Sequence, residues 1–131
     1  MGSSLGIFLS YELRCIGNRC IVRRVREPTY FMLLSLLGEP LHGYGIAKRA
    51  EDLSGGGVRL TAGTLYGALD RLTDQGLIVV DREEIVQGRR RRYYRIGESG
   101  RKAVLAEVER MRSSVAVADE IQGGPAAAVA T

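Results

Sequence analysis

The stretch that decides the fold covers residues 61–96 and reads TAGTLYGALDRLTDQGLIVVDREEIVQGRRRRYYRI. Its first half predicts an amphipathic helix, because leucines recur on one face at helical spacing. Thr61 is of a residue type that caps helix N-termini, and Gly76 is of a type that ends helices. The apolar stripe of this helix consists of Leu65, Leu69 and Leu72. We therefore predict a helix between Thr61 and Gly76.

The second half of the stretch predicts a β-hairpin. Residues 77–82 are largely apolar and β-branched, residues 84–88 form the turn region, and residues 89–96 form the returning strand. Successive residues of a strand face opposite sides, so Tyr94 and Ile96 are predicted to face the core together. The positions predicted to face outward are Arg91, Tyr93 and Arg95.

The segment EPTYFMLLSLLGEP, residues 27–40, predicts the first helix of the chain. Pro28 suits the first helical position, and Gly38 and Pro40 supply a stop. This helix is apolar nearly all round, so it is expected to be buried on more than one side. Its main stripe consists of Tyr30, Leu33, Leu34 and Leu37. In a chain of 131 residues, we expect another subunit to cover its second side.

Two more helices complete the predicted order. The second helix is predicted over HGYGIAKRAEDL, residues 42–53, and a flexible connection follows over residues 54–60. The end of this connection is expected to pair briefly as a strand. A long amphipathic helix is predicted over residues 98–121, and its single apolar stripe needs a partner. The core-facing residues of the second helix are Ile46, Ala50 and Leu53, and the stripe of the long helix is Val104, Val108, Met111 and Val115.

The order helix, helix, helix, hairpin, helix is typical of a winged helix-turn-helix domain. We predict a mainly α (α+β) fold, in which residues 27–97 hold three helices and a two-stranded β-wing, and residues 98–121 form a dimerisation helix. Residues 1–26 are expected to be a disordered or mis-started extension, and residues 122–131 a disordered tail. In this layout the third helix enters the DNA major groove and the wing lies along the backbone.

The predicted wing carries a concentrated positive charge. Residues 88–95 contain five arginines and no acid, so their charge of +5 exceeds the +4 of the whole chain. A protruding ribbon of this kind suits phosphate contacts along a duplex, or insertion of an arginine into a narrow minor groove. The alternative is a solvated strand edge that discourages aggregation. Next to a capped helix that bears small residues, we favour nucleic acid.

The face of the third helix opposite its leucines is the other half of the predicted interface. Gly63 and Gly67 each cost about 1 kcal/mol relative to alanine, which a close approach to DNA would explain. Thr61 and Thr64 suit a phosphate at the helix N-terminus. Tyr66 is either another phosphate ligand or a core aromatic. Two acids are expected to lie away from phosphates: Asp70 and Asp74. The predicted DNA-binding set is Thr61, Gly63, Thr64, Tyr66, Gly67, Arg71, Arg89, Arg90, Arg91, Arg92, Tyr93 and Arg95.

Three motifs resemble the PadR family of bacterial transcriptional regulators. They are PLHGYGIAKRAE (residues 40–51), LTAGTLYGALDRLTDQGLI (60–78) and GRRRRYYRIGESGR (88–101). In this order and spacing, the resemblance covers residues 27–112. The family pattern has a threonine where this chain has Gly97. The last helix is therefore expected to begin with Gly97 as its cap, or at Ser99.

The resemblance implies a homodimeric winged-helix repressor of the short branch, with one C-terminal helix packed on the first helix of its partner. It also implies a pseudo-palindromic double-stranded DNA operator and a small-molecule effector that binds near the dimer interface and releases DNA. Some short-branch members hold flat aromatic drugs with a tryptophan, which this chain lacks, so that site is not expected. The predicted dimer interface consists of Tyr30, Leu33, Leu34, Leu37, Val104, Val108, Met111 and Val115.

Other functions have less support in the sequence. The single histidine, His42, is expected to cap or pack, and we predict no enzyme activity, metal or cofactor. Cys15 and Cys20 are a weak disulfide or metal signal in a chain expected to be cytoplasmic, since no apolar run is long enough to cross a membrane. A redox or metal sensor built on these cysteines is a minor alternative. The main alternative is a winged helix that binds proteins, against which the basic wing argues.

Overall fold

The computed structural model describes residues 13–16, 19–22 and 25–123, and side chains are described over residues 25–123. In chain order the elements are β1 (Leu13–Ile16), β2 (Arg19–Val22), α1 (Glu27–Ser35), β3 (Leu41–His42), α2 (Gly43–Leu53), α3 (Ala62–Asp74), β4 (Ile78–Val86), β5 (Arg89–Ile96) and α4 (Glu98–Gln122). Three helices, a hairpin and a long last helix follow one another as predicted. The winged helix-turn-helix fold class is therefore confirmed.

One apolar core joins the four helices to the sheet. Each leucine or isoleucine that is fully buried there stabilises the fold by about 1.5–3 kcal/mol. The predicted stripe of α3 is confirmed, because all three of its leucines are buried. Leu53 was predicted to face this core but is 45% exposed, since it is the last residue of α2 and lies beyond the packed part of that helix. The largest fully buried side chains include Met32, Leu33, Ile46, Leu69, Leu72, Leu77 and Ile78.

The wing belongs to a three-stranded antiparallel sheet in the order β3–β5–β4. The predicted hairpin is present as β4 and β5, and Tyr94 and Ile96 are buried on its core face as expected. The third strand was not predicted; Leu41 pairs with Tyr94, and His42 pairs with Tyr93. This strand ties the N-terminus of α2 directly to the base of the wing.

The predicted strand at the end of residues 54–60 is wrong. These residues adopt turn and extended conformations without a sheet partner. The amide of Val58 donates to the Ser54 hydroxyl at 2.9 Å, so a side chain satisfies it locally. Val58 itself is buried, and the connection is thereby held against the core.

A tight turn and a bulge shape the wing. Gln87 and Gly88 both have positive φ, 52° and 76°, as in the type I′ turns that join twisted strands. The turn is therefore shorter than the predicted region of residues 84–88. The register shifts between Val80 and Arg82, which leaves Asp81 as a bulge and places Arg82 opposite Tyr93.

The start of α4 packs against the backbone before β4. The helix begins at Glu98 with Gly97 as its N-cap, so the alternative start at Ser99 is wrong. The Gly97 amide donates to the Leu77 carbonyl at 2.9 Å, and a Cβ at Gly97 would lie 2.7 Å from the Gly76 carbonyl oxygen. This close approach explains why glycine replaces the family's threonine here.

The chain ends extend beyond the described residues. β1 and β2 pair as an antiparallel hairpin in which Cys15 is the register partner of Cys20, an element that the predicted disordered extension did not include. The predicted tail falls mainly on residues 124–131, which lie outside the described part, and α4 ends at Gln122 with Gly123 in the left-handed conformation. Over the described residues, no helix has the length and apolar character needed to cross a membrane.

Candidate nucleic-acid interface

The exposed face of α3 is built on an N-terminal cap. The Thr61 hydroxyl oxygen accepts a hydrogen bond from the Thr64 amide at 3.4 Å, so the predicted cap is confirmed. The same hydroxyl donates to the Thr64 hydroxyl at 3.1 Å. Both side chains are exposed beside the first-turn amides, whose partial positive charge suits an anion. The other exposed residues of the predicted set on this helix are Gly63, Tyr66, Gly67 and Arg71.

Packing among the described residues does not explain the glycines of α3. A Cβ at Gly63 or Gly67 would meet no atom within 4 Å. Neither residue has positive φ, so no backbone conformation requires glycine there. Each glycine therefore costs about 1 kcal/mol of helix stability without an intrachain benefit. Both glycines would be explained if this face of α3 lies flat against another molecule.

Tyr66 is a surface residue of the helix-turn-helix. Its side chain is 54% exposed, which contradicts the alternative that it is a core aromatic. Its ring packs beside Gly43, where a Cβ would lie 3.2 Å from Tyr66 Cε1. Gly43 is buried at the start of α2, so its lack of a side chain lets α2 and α3 approach closely.

The positive charge of the wing is partly neutralised by the facing strand. Glu83 of β4 lies 3.0 Å from Arg92 and 3.6 Å from Arg90, and Asp81 lies 3.6 Å from Arg95. The charge of +5 was counted over residues 88–95 and left out β4. Residues 78–96, which include both strands, contain six arginines and three acids, a net charge of +3. The wing arginines that form no ion pair within residues 25–123 are Arg89 and Arg91.

Four side chains contact one another in a row at the base of the wing: Arg82, Tyr93, His42 and Tyr44. The guanidinium carbon of Arg82 lies 4.0 Å from the centre of the Tyr93 ring. Tyr93 meets His42 edge-on at 5.6 Å, and the His42 ring lies parallel to that of Tyr44 at 6.5 Å. Tyr93 is therefore half-buried under Arg82 rather than fully outward as predicted, because the bulge at Asp81 brings Arg82 over it. The sequence did not reveal Arg82, because the bulge that places it opposite Tyr93 carries no pattern, and it did not reveal Tyr44, whose ring contact is with His42.

His42 fastens α2 to the wing. Its Nδ1 accepts a hydrogen bond from the Gly45 amide at 3.2 Å, which confirms the predicted capping role. Burial, and secondarily the positive charge of Arg91, lower the pKa of His42. The neutral form is therefore favoured in the folded protein, and only the neutral form can accept at Nδ1.

We expect the stability of the protein to fall as the pH drops below about 6.5, partly through His42. The folded-state pKa of His42 is lowered, so the unfolded chain binds the proton more readily and acid favours unfolding. Urea unfolding at pH 7.5 and pH 5.5 measures the loss. The His42→Asn variant keeps a capping side chain that does not titrate, and it should lose less free energy of unfolding. Equal losses in both proteins would contradict this role.

A cleft of about 870 Å³ separates α3 from the wing. Of the predicted DNA-binding residues, the cleft brings together Tyr66 of α3 and the four wing arginines Arg89 to Arg92, whereas the rest of the set lies outside its lining. Asp70 also lines this cleft, although we expected it to lie away from phosphate-binding groups. The lining residues include Tyr44, Tyr66, Asp70, Arg89, Arg90, Arg91 and Arg92.

The residues of the predicted dimer surface fall into three groups by burial. Leu33 and Val104 are buried within the chain's own core, so they are corrected to core residues that offer no surface to a partner. Val115 is 59% exposed, and Ile121, which was not predicted, is 81% exposed on the same helix. The remaining predicted residues are half-buried at the edge of the core: Tyr30, Leu34, Leu37, Val108 and Met111.

Comparison with known proteins gives consistent similarities. Residues 32–106 match the Transcriptional regulator PadR-like family. The chain is 40% identical to the Mycobacterium tuberculosis transcriptional regulator Rv3488 over 74 residues, which are 56% of this chain and 65% of that protein. The match therefore spans less than two thirds of the relative.

Two solved structures are similar in fold. A PadR family transcriptional regulator from Eggerthella lenta has a TM-score of 0.51 and 31% identity, with 70% of this chain and 80% of that chain covered. Bacillus subtilis PadR in complex with operator DNA has a TM-score of 0.56 and 25% identity, with 63% of this chain and 47% of that chain covered.

Proposed function

This chain belongs to the PadR-like family of transcriptional regulators, and from that premise we propose that it is a homodimeric repressor that binds operator DNA. The observation that carries the proposal is the cleft where the exposed face of α3 meets the wing arginines. The Bacillus subtilis relative was solved in complex with operator DNA, which supports DNA as the partner of this chain. We place its action in the bacterial cytoplasm.

The two sides of the cleft suit different parts of DNA. The exposed face of α3 carries side chains that reach base edges in a major groove, while Arg89 and Arg91 extend to phosphates. Thr61 and Thr64 suit a phosphate at the helix N-terminus. Asp70 would repel a phosphate, but a carboxylate accepts well from the amino group of cytosine. We therefore assign Asp70 to base contact and the wing to backbone contact.

We expect Gly67→Ala to raise the stability of the protein and to lower its affinity for operator DNA. The open space around this position and its helical conformation mean that Gly67→Ala should raise the free energy of unfolding by about 0.5–1 kcal/mol. The added methyl group would obstruct the close approach of DNA and lower operator affinity by about tenfold or more, which is about 1.4 kcal/mol. Urea unfolding and DNA titration measure the two effects. Unchanged operator affinity would show that DNA does not approach this face.

A dimer would set the spacing of two such surfaces. The exposed apolar residues of the last turns of α4, Val115, Val117 and Ile121, are suited to a second copy of the chain. Two-fold symmetry requires a pseudo-palindromic operator with half-sites separated by about one helical turn. A small-molecule effector at the dimer interface would release DNA by favouring a different spacing of the two recognition helices.

Selection of bound duplexes from a random pool tests the proposed function. We expect the protein to enrich an inverted repeat whose half-sites are about 10 base pairs apart or a multiple of that distance. Enrichment of a single half-site would contradict the dimer. No enrichment of any sequence would contradict specific DNA recognition and favour the winged helix as a protein-binding module.

A further inference from the structure

We propose that Glu83 is a specificity-determining residue of the wing, which restrains Arg90 and Arg92 and so limits binding to DNA of unrelated sequence. The inference rests on the proposed function, since it concerns how the same surface distinguishes operator from other DNA. Glu83 lies on β4, the strand that pairs with the arginine-rich strand β5.

The geometry places one carboxylate between two arginines. Glu83 is directly opposite Arg92 in the register of β4 and β5. Its Oε2 accepts a hydrogen bond from Arg92 Nε at 3.0 Å, and its Oε1 lies 3.6 Å from Arg90 Nε. Arg90 and Arg92 are two residues apart, so they share one face of β5. Each oxygen of Glu83 lies near one of these two arginines. The pKa of Arg92 is raised first by the hydrogen bond to Glu83.

The restraint is selective among the wing arginines. On the other face of the wing, Arg82 pairs with Glu84 at 2.8 Å and with Asp81 at 3.0 Å. Glu84 is the register partner of Arg91 but pairs with Arg82, and Arg89 and Arg91 form no ion pair within residues 25–123. The wing therefore alternates free arginines with arginines held by Glu83.

The ion pairs of Glu83 are weak enough to reduce binding to unrelated DNA without preventing binding to the operator. The side chains of Glu83 and Arg92 are partly exposed, so their ion pair is weak and is screened by salt. At the operator, base contacts from α3 fix the position of the wing, so phosphates can displace or share the pair. On unrelated DNA, binding depends almost entirely on cations that contact phosphates, so a carboxylate that holds two wing arginines weakens it wherever the protein sits on the duplex.

The test compares two variants that remove the same charge. Glu83→Gln releases Arg90 and Arg92, whereas Glu98→Gln removes a carboxylate from an exposed pair with Lys102 on α4, at the opposite end of β5 from the wing turn. We measure elution from immobilised heparin and binding to operator and unrelated duplexes over a salt series. Thermal unfolding verifies that both variants fold.

We expect Glu83→Gln to elute from heparin at higher salt than the wild type and to bind unrelated DNA about fivefold more tightly. The slope of log affinity against log salt should steepen by about 0.9 for each arginine released. Operator affinity should rise less, so the ratio of operator to unrelated affinity falls. Glu98→Gln should behave as the wild type.

Three outcomes would each contradict a different claim: the restraint of the arginines, the role in specificity or the proposed function. Elution and slope of Glu83→Gln equal to those of Glu98→Gln would overturn the restraint alone. An equal rise in affinity for operator and unrelated DNA would overturn the role in specificity. A wild-type protein that prefers no DNA sequence would overturn the proposed function and the specificity claim with it, whatever the heparin result.

Discussion

Replacing Arg89 and Arg91 together with alanine is expected to lower the affinity of each protomer for its operator half-site by about 100-fold at physiological salt. These arginines border the cleft and form no ion pair within the described residues, so no carboxylate competes with phosphate for them. Each charge-assisted contact contributes about 1.5 kcal/mol, and two lost contacts reduce the salt slope by about 1.8 for each bound protomer. Anisotropy titration over a salt series measures both quantities.

The control removes two cations from α4 instead. Arg101→Ala with Lys102→Ala changes the net charge by the same amount, and neither residue lines the cleft. This double variant should retain most of the operator affinity. If it weakens binding as much as the wing variant does, the wing has no special role and only net charge matters.

Replacing Gly100 with alanine is expected to destabilise the protein by about 2–4 kcal/mol. Gly100 is buried in the first turn of α4, and a Cβ there would overlap the Leu77 carbonyl oxygen and press on Ile96. Neither neighbour can move freely, because one is backbone beside β4 and the other is a core residue at the end of β5. Urea unfolding gives the change directly.

The matched control for Gly100 is Gly63→Ala. It makes the same substitution in a helix where a Cβ meets no atom within 4 Å. Its free energy of unfolding should rise by about 0.5–1 kcal/mol because alanine is the better helix former. A Gly100→Ala protein as stable as the wild type would show that α4 and the residue before β4 do not approach as closely as the structure has them.

Local patterns predicted most of the fold. The leucines of α3, the cap at Thr61 and the alternation of Tyr94 and Ile96 each depend on residues close in sequence, and the structure confirms them. The strand at Leu41 and His42 was missed because two residues carry no periodicity and their partners lie about fifty positions away. The need for Gly97 was missed for the same reason, since the atoms it approaches belong to another segment.

The sequence predicted the residues of the candidate site better than it predicted which of their charges are paired. The arginine run marked the wing, but the carboxylates that hold Arg90, Arg92 and Arg95 come from a different strand. Their effect depends on register, and the bulge at Asp81 shifts that register by one residue. The same shift places Arg82 over Tyr93, a contact that alternation alone would not predict.

The measurement that tests the central claim most directly is an anisotropy titration of the wild-type protein on two duplexes of equal length. One carries DNA from upstream of its own gene together with the inverted repeat obtained by selection, and the other is unrelated. We predict affinity for the first that is about 10³-fold or more tighter, with a steep decrease as salt rises. Weak and equal binding to both duplexes would contradict sequence-specific recognition by α3 and the wing.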